Sequence, residues 1–417
     1  MTSEEIVVIG AGAAGLMAAI AAGRSGAKVL VLEKNKKAGV KILMSGGSRC
    51  NITHDCDNIG IIKAFGPRGK FLHSALAAFG TRDTVAFFEA AGVPTKVEET
   101  GKVFPVSNRA HHVLDALIAE LVNAGARISL LEPCRGLEVR GDNLVVITPE
   151  REIEARAVIL TTGGKSFPGC GTTGDGYALA SMFGHQIIPT RPALVPLALR
   201  ETWVAQLAGM TMGDVGLALE ENGHLRGKTR GSNLFTHFGV SGPAPLNLTR
   251  FPASWECPEG LSLLIDFLPG LALGEVDEWL RQETNSRGRQ LVSVVMSDRL
   301  PRGLADRLLV ETGLEPDRRA AGLSRDQRLT LAKKIKNLRF GIQRTLGFEK
   351  AEVTSGGVDL REVDSRSMQS LIIPSLYFAG EILDLDGPIG GFNFQAAWST
   401  GWLAGIKASA KLAKMRP

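Results

Sequence analysis

Three glycines and a glutamate carry the first chemistry in the chain. In "IVVIGAGAAGLMAAIAAGRSGAKVLVLEK", residues 6–34, Gly10, Gly12 and Gly15 stand at G-x-G-x-x-G spacing, and Glu33 follows. Gly10 permits a tight turn, Gly12 lets backbone approach a pyrophosphate, and Gly15 lets a helix pack close on a strand. Ala13 and Ala14 then open a helix whose free N–H groups and positive dipole end attract phosphate. Glu33 ends the next apolar run, where its carboxylate suits ribose hydroxyls and repels a 2′-phosphate. Lys34 is expected beside it as a further cofactor contact. The runs "IVVI" and "VLVL" flank an alanine-rich helix that Gly26 closes at its C′ position, so the segment is a βαβ unit.

The far end of the chain narrows the cofactor. "YFAGEILDLDGPIGGFNFQAAWSTG" (377–401) starts as a buried strand and runs into Gly380 and Glu381. A glycine cluster ending at Gly391 then opens a helix at Phe392, Asn393 and Phe394. A helix start placed there favours the anionic pyrimidine edge of a reduced flavin. An extended FAD needs such a distant segment, and a simple NAD domain does not. "VILTTGGKSFPGCGTTGDGYALA" (158–180) brings Thr162, Gly163 and Gly164 against the cofactor, and Asp175 begins another helix. "KILMSGGSRCNIT" (41–53) is a glycine loop. It offers Lys41, Ser45 and Gly46 as contacts, Arg49 to neutralise pyrophosphate, and Cys50 and Asn51 for the flavin. A non-covalent FAD is the expected cofactor.

These segments need a frame. A hairpin is expected to turn at Thr100 and Gly101, with helices over 71–79 and 82–91, the second capped by Thr81. Ser107 is expected to cap the long helix that follows. "RISLL" (127–131) reads as the next parallel strand. "GLEVR", "NLVVIT" and "REIEA" read as an antiparallel meander, with "AVIL" as a separate buried strand. Proline-interrupted sequence near 190 marks a change of style. The fold class expected is α/β with inserts. Residues 1–190 plus 341–417 form a discontinuous Rossmann-like FAD-binding domain, 191–271 a β-barrel-like substrate domain, and 272–340 a small helical insert.

Composition narrows the function classes. The chain has 417 residues, 44% hydrophobic and 22% charged, with net charge +5 and pI about 9.0. Such a balance is ordinary for a globular chain. Its Lys and Arg are scattered, which argues for a solvated surface plus an anionic cofactor and against nucleic acid. No apolar run near the start is long enough for a bilayer. Five cysteines without C-x-x-C spacing indicate neither a disulfide framework nor a metal site, so a reducing cytoplasm is expected.

The ordered set "GAGAAG", "KILMSGGSRCNIT", "GKVFPVSNRA", "TGGKSFPGCGTTGDGYALA", "LFTHFGVSGPAPLNL", "TSGGVDL" and "FAGEILDLDGPIGGFNFQAAWSTG" spans nearly the whole chain. It resembles the bacterial flavoprotein family that includes proteins assigned as aminoacetone oxidase and as a 3-oxo-4-ene bile-acid reductase. The resemblance implies the same three-part build. His237, in "LFTHFGVSGPAPLNL", is a candidate proton donor to the flavin site. His54, His73, His111, His112, His185 and His224 lack partner spacing and read as structural.

The expected activity is FAD-dependent hydride transfer, to or from flavin N5, on a small organic substrate. One alternative is an amine oxidase of the aminoacetone type using dioxygen. Another, of a different class, is a flavin-containing RNA-linked or structural protein. No second G-x-G-x-x-G follows a strand, so NAD(P)H as reductant would dock transiently over the flavin.

Overall fold

A computed structural model describes residues 2–414, which divide into two compact units. One is built from the chain up to Pro192 and again from Glu352, and the other is Ala193–Ala351.

A nine-stranded sheet organises the first unit. Its parallel centre runs Leu376–Phe378, Glu152–Leu160, Thr2–Ile9, Val29–Glu33 and Arg127–Leu130, in that spatial order. Ile6 to Ile9 and Val29 to Glu33 are all buried, as central parallel strands are. The helices Ala13–Arg24 and Phe392–Lys414 pack beside them and lie in close contact with each other. A β-carbon at Gly401 or Gly405 would come within 2.3 or 2.2 Å of the carbonyl oxygens of Ala14 or Ala18. The first and last segments of the chain therefore interlock.

The expected meander forms from Gly136–Arg140, Asn143–Ile147 and Glu152–Leu160. "REIEA" and "AVIL" are one continuous strand, whose first half pairs outward with the meander and whose second half sits in the parallel centre. Two expected caps shift. The long helix starts at Ala110 with Arg109 as N-cap, because Asn108 takes a left-handed conformation (φ 53°) and prolongs the turn after Pro105. Gly80, not Thr81, caps Thr81–Ala90: the Asp83 carboxylate accepts from Gly80 N, and Thr81 Oγ1 donates to the Cys56 carbonyl.

A part-buried ion pair ties the meander to the end of the second strand. Glu132 N donates to the Glu33 carbonyl at 3.0 Å. The Glu132 carboxylate receives Arg151 Nε and Nη2, both at 2.9 Å, and Thr148 Oγ1 at 3.0 Å. Hydrogen bonding from Arg151, against the opposing effect of burial, brings its pKa down from 4.5 to about 2. A lowered carboxyl pKa stabilises the fold above the unfolded-state value and loses that contribution as pH falls through the folded value. Solvent at the part-exposed Arg151 screens the pair, so we expect a contribution of about 1–2 kcal/mol at pH 7 that fades between pH 4.5 and 2. Urea unfolding of wild type and Glu132→Gln should therefore differ at pH 7 and converge toward pH 2.

The second unit contains a closed six-stranded barrel. Its order is Leu197–Leu199, Gly239–Ser241, His224–Phe235, Thr211–Glu221, Leu261–Asp266 and Leu338–Thr345. Asn222 and Gly223 form its hairpin tip with φ of 51° and 81°, as a type I′ turn demands. The helices Leu273–Ser286, Val292–Met296, Arg302–Glu311 and Arg325–Lys336 share one apolar core with the barrel. Asn233 is fully buried in this unit, and neither of its amide atoms has a hydrogen-bond partner. An unpaired buried amide costs roughly 1–3 kcal/mol. Asn233→Leu, of similar volume, should raise the thermal midpoint by a few degrees.

Candidate dinucleotide and flavin site

The helix Ala13–Arg24 begins at Gly12 without a side-chain cap. Leu16 N is bonded to Gly12 O, so the amides of Ala13, Ala14 and Gly15 precede the intrahelical ladder. A β-carbon on Gly12 would meet nothing within 4 Å, so the space beside those amides is open. Gly10 has φ 104° and lies against the Thr161 backbone, where a β-carbon would come within 2.7 Å of the carbonyl oxygen. Thr161 Oγ1 lies 2.9 and 2.8 Å from the carbonyl oxygens of Ile9 and Gly10 and pins the turn. The Glu33 carboxylate accepts from Ala11 N at 2.9 Å and from Asn35 N at 2.8 Å, which orients it at the strand end with lone pairs to spare.

Lys34 Nζ pairs with Asp175 and reaches Thr173 Oγ1 at 2.6 Å. Burial raises the Asp175 carboxyl, but hydrogen bonds from Lys34 and Thr173 outweigh it and hold the group below the usual range. This pair links the second strand to the helix Asp175–Met182.

A second network joins four separate segments. Lys41 Nζ meets Glu381 Oε2 at 2.6 Å and Ser166 Oγ at 2.7 Å. Glu381 Oε1 also accepts from Ser166 Oγ at 2.7 Å and Thr354 N at 2.8 Å. Thr354 Oγ1 accepts from Lys165 N and Ser166 N. It packs so closely on Gly164 that a β-carbon there would come within 2.3 Å. The sequence carries no signal for Ser166 and Thr354, because their partners lie far away in the chain. Gly163 is left-handed (φ 73°), and the buried Thr162 Oγ1 has no partner.

The 41–53 segment is only nominally helical. Ser45 (ψ 149°), Gly46 and Gly47 leave helical geometry, and Gly46, Gly47, Ser48 and Cys50 all have φ between 56° and 68°. Arg49 pairs with Glu98 at 2.7 Å and lies 4.0 Å from the Phe104 ring centroid, so its charge is answered there. Burial pushes the Cys50 thiol up to about 12, against a hydrogen bond with Ser45, so it stays a neutral thiol at ordinary pH. The Asn51 amide, oriented to satisfy its neighbours, donates to the carbonyls of Thr53 (2.9 Å) and Val103 (3.1 Å). It accepts from Gly391 N at 2.9 Å.

The last helix starts at Phe392, as expected, on a glycine turn with Gly390 at φ 132° and Gly391 at 92°. The Asn393 side chain clamps the turn through Gly387 N and O. Phe392 stacks on His54, and Phe394 on Trp398. His237 lies in the other unit, exposed at the tip of a tight turn, with its ring edge-on to Phe238.

The open face at Gly12, the uncapped amides and the glycine-built start of the last helix fit a dinucleotide at one end and a flavin at the other. The HI0933-like protein Rossmann domain matches residues 4–407. The chain belongs to the HI0933-like family. An *Escherichia coli* K12 relative named ribosomal RNA dihydrouridine synthase is 33% identical over 405 residues, covering 96% of this chain and 97% of that protein. A *Clostridium scindens* relative named 3-dehydro-bile acid delta(4,6)-reductase is 32% identical over 410 residues, covering 97% and 99%. The *E. coli* quinol fumarate reductase subunit FrdA shares the fold, with a TM-score of 0.52 at 16% identity over all of this chain and 72% of its own. This HI0933-like protein is a flavin-dependent oxidoreductase with a Rossmann-like FAD-binding domain and an inserted barrel. Among its described residues, no helix is long and apolar enough to cross a membrane, and no cluster of His, Cys, Asp and Glu is arranged to hold a metal.

Proposed function

We propose that the protein reduces a carbon–carbon double bond conjugated to a carbonyl group. One observation carries this reading. The chain aligns over nearly its full length with two relatives whose names describe saturation of such a bond, in uridine and in a 3-oxo steroid. The two substrates differ in size and charge, but the bond is the same: polarised by a carbonyl and open to hydride at its β-carbon.

In this reading, the amides of Ala13, Ala14 and Gly15 hold the FAD pyrophosphate, with Gly12 leaving room for it. Glu33 receives the adenosine ribose. Lys41 and Glu381, locked together, flank the middle of the cofactor, and the start of the last helix at Gly391–Phe394 meets the flavin ring. Bound FAD supplies a two-electron hydride carrier, and the protein supplies orientation and a proton. NAD(P)H is the proposed reductant, docking transiently because the chain has no second dinucleotide fingerprint.

The test incubates holoenzyme, NADPH or NADH, and either uridine-containing ribosomal RNA or a 3-oxo-4-ene steroid, and weighs the products. A gain of two hydrogens in one of them is expected. Peroxide from aminoacetone, with neither acceptor altered, would replace this reading with that of an oxidase.

A further inference from the structure

His54 reads in the sequence as an isolated structural histidine. The fold places it against the glycine turn that starts the last helix, 336 residues further on. Its Nδ1 lies 3.0 Å from the Gly390 carbonyl oxygen. A carbonyl only accepts, so Nδ1 carries a hydrogen and Nε2 is the nitrogen left to give up or take a proton. The ring stacks on Phe392, with centroids 4.5 Å apart and planes at 24°. Nε2 faces Gly101, where a β-carbon would come within 2.7 Å. Gly101 is left-handed (φ 76°), so glycine suits both the turn and the space beside Nε2. The histidine is half-buried.

The charged neighbours are few. Lys102 pairs with His54 in register across the small sheet. Asp55 follows it in the chain, its amide bound to the Gly101 carbonyl. Asp386, at the base of the glycine turn, is paired with Arg68.

We propose that His54 delivers the proton in the reduction, an inference that rests on the function proposed above. The β-carbon of the conjugated bond takes a hydride, two electrons and one proton, from reduced flavin. The π electrons of the double bond then form a new C–H bond at the α-carbon with the Nε2 proton of the His54 imidazolium. His54 is left neutral, its Nδ1–H still on Gly390, and regains its proton from solvent. The Gly390 tether and the Phe392 stack hold the ring in place through the cycle.

His54→Asn tests this. Asparagine can keep an N–H for the Gly390 carbonyl but has no titrating nitrogen. Reduced holoenzyme is mixed anaerobically with the acceptor, and flavin reoxidation is followed across pH. The wild-type rate should fall as pH rises. His54→Asn should be slower on the order of a hundredfold, and its rate should lose that pH dependence. Its FAD content and flavin spectrum should match wild type, which a merely structural role would not predict. A variant with the wild-type rate and profile overturns the proposal, as does a wild-type rate that is independent of pH. Loss of FAD from the variant would make His54 a cradle support and overturn it as well. Wild-type enzyme that stays reduced with every conjugated acceptor overturns the reduction itself, and this step with it.

Discussion

Gly12→Val should yield a folded protein without colour. Gly12 has φ −80° and ψ −169°, an extended conformation that valine adopts readily. Its β-carbon would touch no protein atom within 4 Å. The new side chain therefore costs the apo fold little. It fills the space beside the amides of Ala13, Ala14 and Gly15, where the pyrophosphate is expected. FAD affinity should drop on the order of a hundredfold or more, which is roughly 3 kcal/mol. Absorbance of the purified protein and titration with FAD measure the loss. Thermal midpoints must be compared between apo forms, because bound FAD stabilises the folded state by mass action.

Gly15→Ala, three residues on, should do the opposite and fail as a fold. An added β-carbon would lie 1.9 Å from the Gly10 carbonyl oxygen and 2.5 Å from Thr161 Oγ1. Neither neighbour yields easily. Gly10 N is bonded to Leu32 O at 2.8 Å, and the Thr161 hydroxyl pins the turn from the adjacent strand. The helix Ala13–Arg24 would have to move off the sheet, against its close contact with the last helix. We expect a loss of about 3 kcal/mol or more. It should appear in the apo protein as a lower urea midpoint or as insoluble expression. One motif thus contains a position that serves the ligand and another that serves packing, and the two substitutions separate them.

The parts of the site that repeat locally were legible in the chain. Glycine spacing, a strand ending in an acid and a glycine cluster before a helix are short patterns with direct geometric meaning. They placed Gly10, Gly12, Gly15, Glu33 and the helix at Phe392 correctly in the fold. Contacts over long separations were not legible. Lys41 and Glu381 meet across 340 residues, and nothing in either neighbourhood names the other. Thr354 binds Lys165 N and Ser166 N only because Val353–Val358 pairs beside that loop with Ile187–Ala193. The surroundings of His54 are equally silent in the sequence, since Gly390 and Phe392 give it its geometry. Arg49, expected to neutralise pyrophosphate, gains Glu98 and Phe104 as neighbours that its own segment does not name. Caps shift from Ser107 and Thr81 by one or two residues, because the left-handed turn at Asn108 and the Asp83 bond back to Gly80 N decide where the helices begin.

The central claim is that this FAD protein passes hydride to a carbonyl-conjugated double bond. Anaerobic mixing of the reduced holoenzyme with each acceptor, monitored at the oxidised-flavin absorbance band, tests it most directly. Full return of that band, with one double bond lost per flavin, is the result expected for either the RNA or the steroid. Flavin that stays reduced with both, and reoxidises only when oxygen is admitted, would contradict it.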